Sequence, residues 1–396
     1  MKKIGTLTLH LPFNYGNALQ MFSLHKYLLE QGYDAEVLSH WYFKNKDEVL
    51  GLHNKARQIK GFLKLLVGLA FVPGVACQYW REQKLSKWLD DNIRWSQESG
   101  VTGEFNPEKL PHDIVIVGSD QIWNPIHETS KFFLLTDFPG RIKKIAYAAS
   151  MGTDEFIKSE VGYFSAALKR FAAISVREKS AVEACENMLA QKATLVCDPT
   201  LLHTKEQWIK LLGLRIKSRP TEDLVMYLVT PDYRSKWRDI MRVAKESGKK
   251  VHFFAFQWSQ CLPQFSLRHP FKGFAQVISS VAKRLIIFCA GVRLHLSATP
   301  SEFVQYIANS SGLLTDSFHG MMFATIFEKE CNVVIGAHSE RQQMSARLRN
   351  FTEDFGDPTI LTSTFDIRAM RKLSITTKLQ ELISFSKVWL KCAIEG

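Results

Sequence analysis

The apolar run from Ile4 to Thr8 predicts a β-strand, and the turn formers between His10 and Asn17 predict a loop. From Ala18 to Glu30 the apolar positions Leu19, Phe22, Leu24 and Leu28 recur at helical spacing, and Gly32 is a natural stop. Ala35 to Ser39 predicts a second strand. Strand, loop, helix, strand is a βαβ unit, the opening of a doubly wound sheet. Further strands are predicted over Asp113–Gly118, Lys144–Ala149, Ala173–Val176 and Leu195–Cys197, with a helix over Phe156–Arg170 and a turn at Asp198-Pro199-Thr200. The style then repeats: strand Leu224–Leu228, basic helix Trp237–Ser247, strand Val251–Phe256, helix Thr299–Asn309, strand Gly312–Thr315, a small-residue helix beginning near His319, and strand Asn332–Ile335. The expected fold class is therefore α/β, with two Rossmann-like doubly wound domains over residues 1–205 and 206–375. A helical insertion falls at about residues 50–95 of the first domain, and the amphipathic tail, residues 376–396, offers a face for packing back onto that domain.

Composition adds little to the fold and something to the partners. At 396 residues with 46% hydrophobic and 12% aromatic content, the chain can fill two cores. The formal net charge of +12 suits an anionic partner: nucleic acid, an anionic membrane face or an anionic small substrate. No helix-turn-helix, zinc-finger or RNP pattern supports nucleic acid. From Tyr233 to Pro300 the only carboxylates are Asp239 and Glu246, set against many Lys and Arg; this is either a solvated basic face or an attraction to anionic lipid or a phosphorylated ligand. Residues 55–88 carry Lys55, Lys64, Trp80, Arg81 and Trp88 around an apolar run broken by Pro73 and Gly74. That segment suits either a helical hairpin packed on its own domain or a helix lying at a membrane interface. The seven cysteines include no C-x-x-C pair, which argues for buried free thiols in a reducing compartment, and the start is too interrupted for a signal peptide. The expectation is a cytoplasmic protein, with peripheral contact at the inner face of the membrane through residues 55–88 and 233–300.

Four loops fall where a doubly wound sheet places its ligands, at the carboxyl ends of strands. In Asn14-Tyr15-Gly16-Asn17, Gly16 permits close backbone approach, and Asn17 either caps the helix or touches a ligand. Gly118-Ser119-Asp120 ends a strand in a carboxylate that could orient or deprotonate a sugar hydroxyl, or merely cap a turn; Trp123 and Asn124 follow as a ring face and an amide suited to a sugar. Arg177, straight after a buried strand, suits a carboxylate or phosphate, or a structural pair with Glu178 or Asp198. In Thr315-Asp316-Ser317-Phe318-His319-Gly320, Asp316 or Ser317 caps a helix whose first turn holds His319 beside unpaired backbone N–H groups, a ready anion site.

Taken in order, these loops make the chain resemble the polysaccharide pyruvyl transferase family. The matching stretches are Gly16-Asn17-Ala18-Leu19-Gln20, Gly118-Ser119-Asp120-Gln121-Ile122-Trp123, Tyr147-Ala148-Ala149-Ser150-Met151-Gly152, Ile174-Ser175-Val176-Arg177-Glu178, Asp198-Pro199-Thr200-Leu201-Leu202 and Thr315 to Gly320. The resemblance implies a glycosyltransferase-B-like fold with the ligand cleft between the domains. It also implies transfer of the enolpyruvyl unit of phosphoenolpyruvate onto a sugar, giving a pyruvate ketal and phosphate. Family precedent maps the donor-binding or catalytic Arg and His onto Arg177 and His319. Where the family often has Asn-Ser-Arg, this chain has Ser345-Ala346-Arg347, so Arg347 is left out of the expected site.

The expected site is then Arg177, Ser317, His319 and Gly320 on the donor and Asn17, Asp120, Trp123 and Asn124 on the acceptor. His319, Arg177 and Asp120 are expected to be catalytic. No metal or cofactor is expected beyond phosphoenolpyruvate as co-substrate, and the acceptor is a polysaccharide sugar or a lipid-linked precursor. The competing functions are a nucleotide-sugar glycosyltransferase of the same architecture and a non-catalytic scaffold of a polysaccharide assembly complex.

Overall fold

The computed structural model describes residues 2–9, 14–38, 73–96, 106–125, 128–152, 160–229, 233–255, 291–335 and 339–396. In the first half, β1 (Lys3–Leu7), β2 (Asp34–Val37), β3 (Ile114–Val117), β4 (Lys143–Ala149), β5 (Ala173–Val176) and β6 (Thr194–Leu195) form one parallel sheet in the order β2-β1-β3-β4-β5-β6. β3, Ile-Val-Ile-Val, is buried on both faces, which is why it reads as a continuous apolar run. In the second half, β7 (Leu224–Leu228), β8 (Val251–Ala255), β9 (Val292–Leu294), β10 (Gly312–Thr315), β11 (Glu330–Val334) and β12 (Leu361–Thr362) lie in the order β12-β11-β10-β7-β8-β9, and β13 (Arg371–Lys372) pairs antiparallel with β11. These are two doubly wound α/β units.

Helix α1 (Tyr15–Glu30) starts three residues earlier than the apolar spacing suggests. Asn14 is its cap, its side-chain oxygen accepting from the Gly16 and Asn17 amides at 2.9 and 3.3 Å. α1 is buried on nearly every side from Tyr15 to Leu28 because both halves cover it. Tyr15 stacks on Phe303 of α7 (Pro300–Asn309), with ring centroids 4.8 Å apart, and donates its hydroxyl to the Ala298 carbonyl at 3.0 Å. A single apolar cluster runs from Ile4 and Ile116 through Phe22 to Phe303, Met321 and Val333, so the two sheets share a core. The terminal helix α10 (Thr377–Glu395) lies against the first half. Its Ser386 Oγ accepts from the Cys197 amide at 2.8 Å, Trp389 meets Tyr147, and Lys2 reaches the Ile394 carbonyl at 2.7 Å.

Several expectations change. In the segment offered as a membrane-interface helix, α2 (Pro73–Asn92) turns Arg81 and Trp88 inward. Trp88 packs on Phe22 and donates to Ser301 Oγ at 2.8 Å, while the Arg81 guanidinium sits 4.4 Å from the Tyr15 ring centroid. These two residues are cement between the halves and are not available to lipid; residues 55–72 lie outside the described residues. Among the described residues no helix is long and apolar enough to cross a membrane. In the basic region, Arg242 of α6 (Tyr233–Ser247) is engaged by Asp239, Glu246 and the Phe365 carbonyl, and residues 256–290 are not described. The helix expected from Phe156 is described over Val161–Leu168 (α3), and the apolar pattern did not reveal α4 (Lys179–Asn187), α5 (Lys205–Leu212), α9 (Ser339–Phe355), β9, β12 or β13.

Candidate functional site

In each sheet the strand order reverses beside the first strand, and such switch points open crevices at the carboxyl ends. In the first sheet the reversal falls between β1 and β3, so the loop into α1 and the loop after β3 face each other. Asn17 Nδ2 donates to Asp120 Oδ2 across that gap. In the second sheet the reversal falls between β7 and β10. There Thr315 Oγ1 donates to the Tyr227 carbonyl at 2.7 Å, and Asp316 accepts from the Val229 amide at 2.7 Å. With Asp316 so used, Ser317 is the cap of α8 (Phe318–Ile326), its Oγ accepting from the Gly320 amide at 3.3 Å.

The two switch points meet. A Cβ placed on Gly16 would lie 2.3 Å from His319 Nδ1, so the first turns of α1 and α8 are in contact and only glycine fits between them. A Cβ on Gly320 would lie 2.8 Å from Thr315 Oγ1, which fixes how closely α8 leaves β10. Ser317 and Gly320 therefore shape the helix start that presents His319.

Around this junction lies a buried ionic cluster. The side chain of Arg177, 1% exposed, donates Nη1 to Asp198 Oδ2 at 2.7 Å, Nη2 to Asp120 Oδ1 at 3.2 Å and Nε to Glu178 Oε1 at 3.2 Å. The pairing of Arg177 with Glu178 or Asp198, weighed above as its alternative use, is present with both at once. His319 Nε2 stands 3.7 Å from the same Asp198 oxygen, beyond hydrogen-bond reach. An arginine from the first half and an imidazole from the second thus converge on one oxygen anion. Asp198 Oδ1 is held by the Thr200 amide and hydroxyl at 3.0 and 2.7 Å.

A second guanidinium enters from α9. Arg347, buried, has Nη1 3.5 Å from Asp120 Oδ1. With the Gln121 amide oriented to satisfy its neighbours, its oxygen accepts from Arg347 Nη2 at 2.6 Å and Nε at 3.2 Å. Both guanidiniums lie over the Phe318 ring, at 4.6 Å for Arg177 and 5.9 Å for Arg347. Arg347 was left out of the expected site because its local sequence departs from the family triplet. The available signal was an arginine retained at the end of that altered triplet, in an otherwise polar helix.

Burial and charge act differently on the members. Burial pushes Asp120 and Asp198 up, but Arg177 and the His319 imidazole override it and hold both carboxyls below the ordinary range. Glu178 goes the other way: burial outweighs Arg177 and the hydrogen bond from Ser150, and its carboxyl is raised. Burial, with Arg177 as a like-charged neighbour, lowers Arg347 to about 10. Arg177 is raised by its three carboxylates despite burial.

Two expected acceptor residues are elsewhere. Trp123 is fully buried, donates Nε1 to the Phe133 carbonyl at 3.3 Å and meets the edge of Phe171, so its ring belongs to the first-half core and offers no face to a sugar. Asn124 is buried beside it, its amide 3.1 Å from that of Gln121, one residue removed from the cluster. Asn17 sits within α1 and serves Asp120, while Asn14 does the capping. Among the described residues no group of three or more His, Cys, Asp or Glu side chains is placed to hold a metal ion.

A family model described as "Polysaccharide pyruvyl transferase" matches residues 14–338, a span that contains every member of the cluster except Arg347. No curated protein matches. Among solved structures, the chain is similar to UDP-GlcNAc 2-epimerase from Methanocaldococcus jannaschii (11% identity, TM-score 0.49, all of both chains covered). It is similar also to the Neisseria meningitidis enzyme bound to UDP-GlcNAc (13%, 0.47, all of both chains) and to the one from Rickettsia bellii (12%, 0.45, 100% of this chain and 96% of that one).

Proposed function

The chain belongs to the polysaccharide pyruvyl transferase family, and on that premise we propose that it moves the enolpyruvyl group of phosphoenolpyruvate onto a sugar of a polysaccharide or its precursor. The product would be a pyruvate ketal, with phosphate released. The observation that carries this reading is the convergence of Arg177 and His319 on one carboxylate oxygen, with Arg347 alongside. A small anion with a carboxylate and a phosphate needs two cationic or N–H-lined positions. His319 at the start of α8 supplies one, and Arg347 supplies the other.

Arg177 has each guanidinium nitrogen committed to a carboxylate, so its role in this reading is to hold Asp120, Glu178 and Asp198 in place. Arg347 is the less compensated cation, with its nearest carboxylate oxygen among the described residues at 3.5 Å, and is the better candidate for donor binding. His319 would protonate the methylene carbon of the donor or stabilise the departing phosphate.

The test is phosphate release from phosphoenolpyruvate in the presence of candidate sugar acceptors. Wild-type protein is expected to release phosphate with a diol acceptor, and His319→Ala to lose about 10²-fold or more of that turnover while unfolding at the wild-type temperature. Nucleotide release from a nucleotide-sugar donor, with none from phosphoenolpyruvate, would replace this reading with a glycosyltransferase.

A further inference from the structure

Three buried polar atoms of the cluster have no hydrogen-bond partner among the described residues: Asn17 Oδ1, Glu178 Oε2 and His319 Nε2. A buried polar atom left unpaired is costly, and in a binding site it marks where a ligand's polar group fits. Two of the three, Asn17 Oδ1 and Glu178 Oε2, are oxygens that accept, and a sugar hydroxyl is the matching donor.

The three carboxylates of the cluster differ in what they have left to offer. Asp120 Oδ1 takes the Gln121 amide and Arg177, and its Oδ2 takes Asn17. Both oxygens of Asp198 are likewise engaged, by Thr200 and by Arg177. Among the described residues Glu178 uses only Oε1, which accepts from Ser150 Oγ at 2.6 Å and Arg177 Nε at 3.2 Å. It stands at the N-cap of α4 yet makes no side-chain capping bond there, so its carboxyl has been diverted from the ordinary work of that position.

We propose that Glu178, rather than Asp120, is the catalytic carboxylate that takes the proton from the acceptor sugar hydroxyl through its unpaired Oε2, with Asn17 Oδ1 accepting from the neighbouring hydroxyl. The assignment rests on the pyruvyl-transfer reading. The proton count of that reaction requires such a group. The first hydroxyl oxygen bonds to the central carbon of the donor and gives up a proton while the methylene carbon gains one. The carbon–oxygen bond to phosphate then breaks with its electron pair leaving on phosphate, and the second hydroxyl oxygen bonds and loses its proton. Two protons leave the hydroxyls; one ends on the methyl carbon and one on phosphate, and Glu178 ends the cycle as it began. Its raised carboxyl makes it a better proton acceptor than either aspartate, both held low. The charged groups that face it are Arg177 on its own loop and Arg347 from α9, with Ser150 at the end of β4 as its neutral donor.

The experiment is the pH profile of phosphate release, at saturating donor with a fixed diol acceptor, for wild type, Glu178→Gln and Ser150→Ala. A working base must be deprotonated, so wild-type turnover should fall on the acid side through the Glu178 titration. Glu178→Gln should lose about 10²- to 10⁴-fold of turnover, show no acid limb, and bind donor within about threefold of wild type. Ser150→Ala removes a bond that favours the charged carboxyl, so its acid limb should move up by about one pH unit while turnover persists above it. Near-normal turnover by Glu178→Gln, or an acid limb unmoved in Ser150→Ala, overturns the assignment and leaves the reaction standing. Wild-type protein that binds donor but releases no phosphate with any acceptor overturns the reaction, and the assignment with it.

Discussion

Arg177 is enclosed by Asp120, Glu178 and Asp198, and its side chain is almost wholly out of water. Removing it would strand three carboxylates at once. Breaking a buried ion pair from one side typically costs about 3–5 kcal/mol, far more than an exposed pair is worth. Arg177→Ala is therefore expected to lower unfolding stability by at least about 3 kcal/mol in urea titration. Arg177→Lys should recover only part of that, because an ammonium cannot present the planar fork that reaches all three partners. An Arg177→Ala protein within about 0.5 kcal/mol of wild type would show that the cluster does not depend on it. This residue was legible in the sequence as an arginine straight after a buried strand, with Glu178 and Asp198 as candidate partners; what the sequence could not decide is that both pairs form at once, with Asp120 as a third. Trp123 and Asn17 teach the same lesson. Residue type suggested sugar contact for one and a cap or an acceptor contact for the other, but which way a side chain turns is decided by neighbours in space, Phe133 and Asp120.

The elements that carry the site were the most readable part of the chain. Central parallel strands such as β3 and β7 are buried on both faces and appear as unbroken apolar runs, and the loops after β1, β3, β5 and β10 follow from them. The short edge strands β9, β12 and β13 and the polar helix α9 have no such run, and α9 is the element that brings Arg347. The contact between α1 and α8 was also invisible, since nothing local to Gly16 names a residue three hundred positions away. It makes a sharp prediction. Gly16→Ala puts a methyl group where the His319 ring lies, 2.3 Å from Nδ1, and either the imidazole or α1 must move. Gly16 is the second residue of α1, a position where alanine is otherwise favourable, so the helix itself should not suffer. The expected result is a stable protein with turnover reduced about 10²-fold, the scale on which misplacement of a catalytic group by about 1 Å acts. Gly16→Ala with full activity would mean that the position of His319 does not matter to the reaction.

At the scale of the whole molecule the cluster is an ionic joint between two halves, and its charge balance constrains what can bind there. Asp120, Glu178 and Asp198 face Arg177 and Arg347, which leaves 2 − 3 = −1 before His319 is counted. Phosphoenolpyruvate brings a carboxylate and a phosphate whose charge at neutral pH is between about −1.5 and −2. Such a ligand cannot settle beside a net negative, desolvated cluster without compensation. Asp120 and Asp198 are held low and will not supply it, and Glu178 must stay charged to act as the base, so the compensating proton has to ride on the donor's own phosphate, whose second pKa is about 6. Donor binding is therefore expected to draw protons into the joint. By linkage, affinity must then tighten as the pH falls, since the bound state holds more protons than the free one. Titration calorimetry with phosphoenolpyruvate in buffers of different ionisation enthalpy should register net proton uptake, with the dissociation constant rising about tenfold for each proton and each pH unit between about pH 6 and 8. Donor binding that is tight, unchanged across that range and free of proton uptake would mean that the carboxylates leave the joint when the ligand arrives. The two halves would then have to part, because Arg347 and Asp120 come from opposite sides of it.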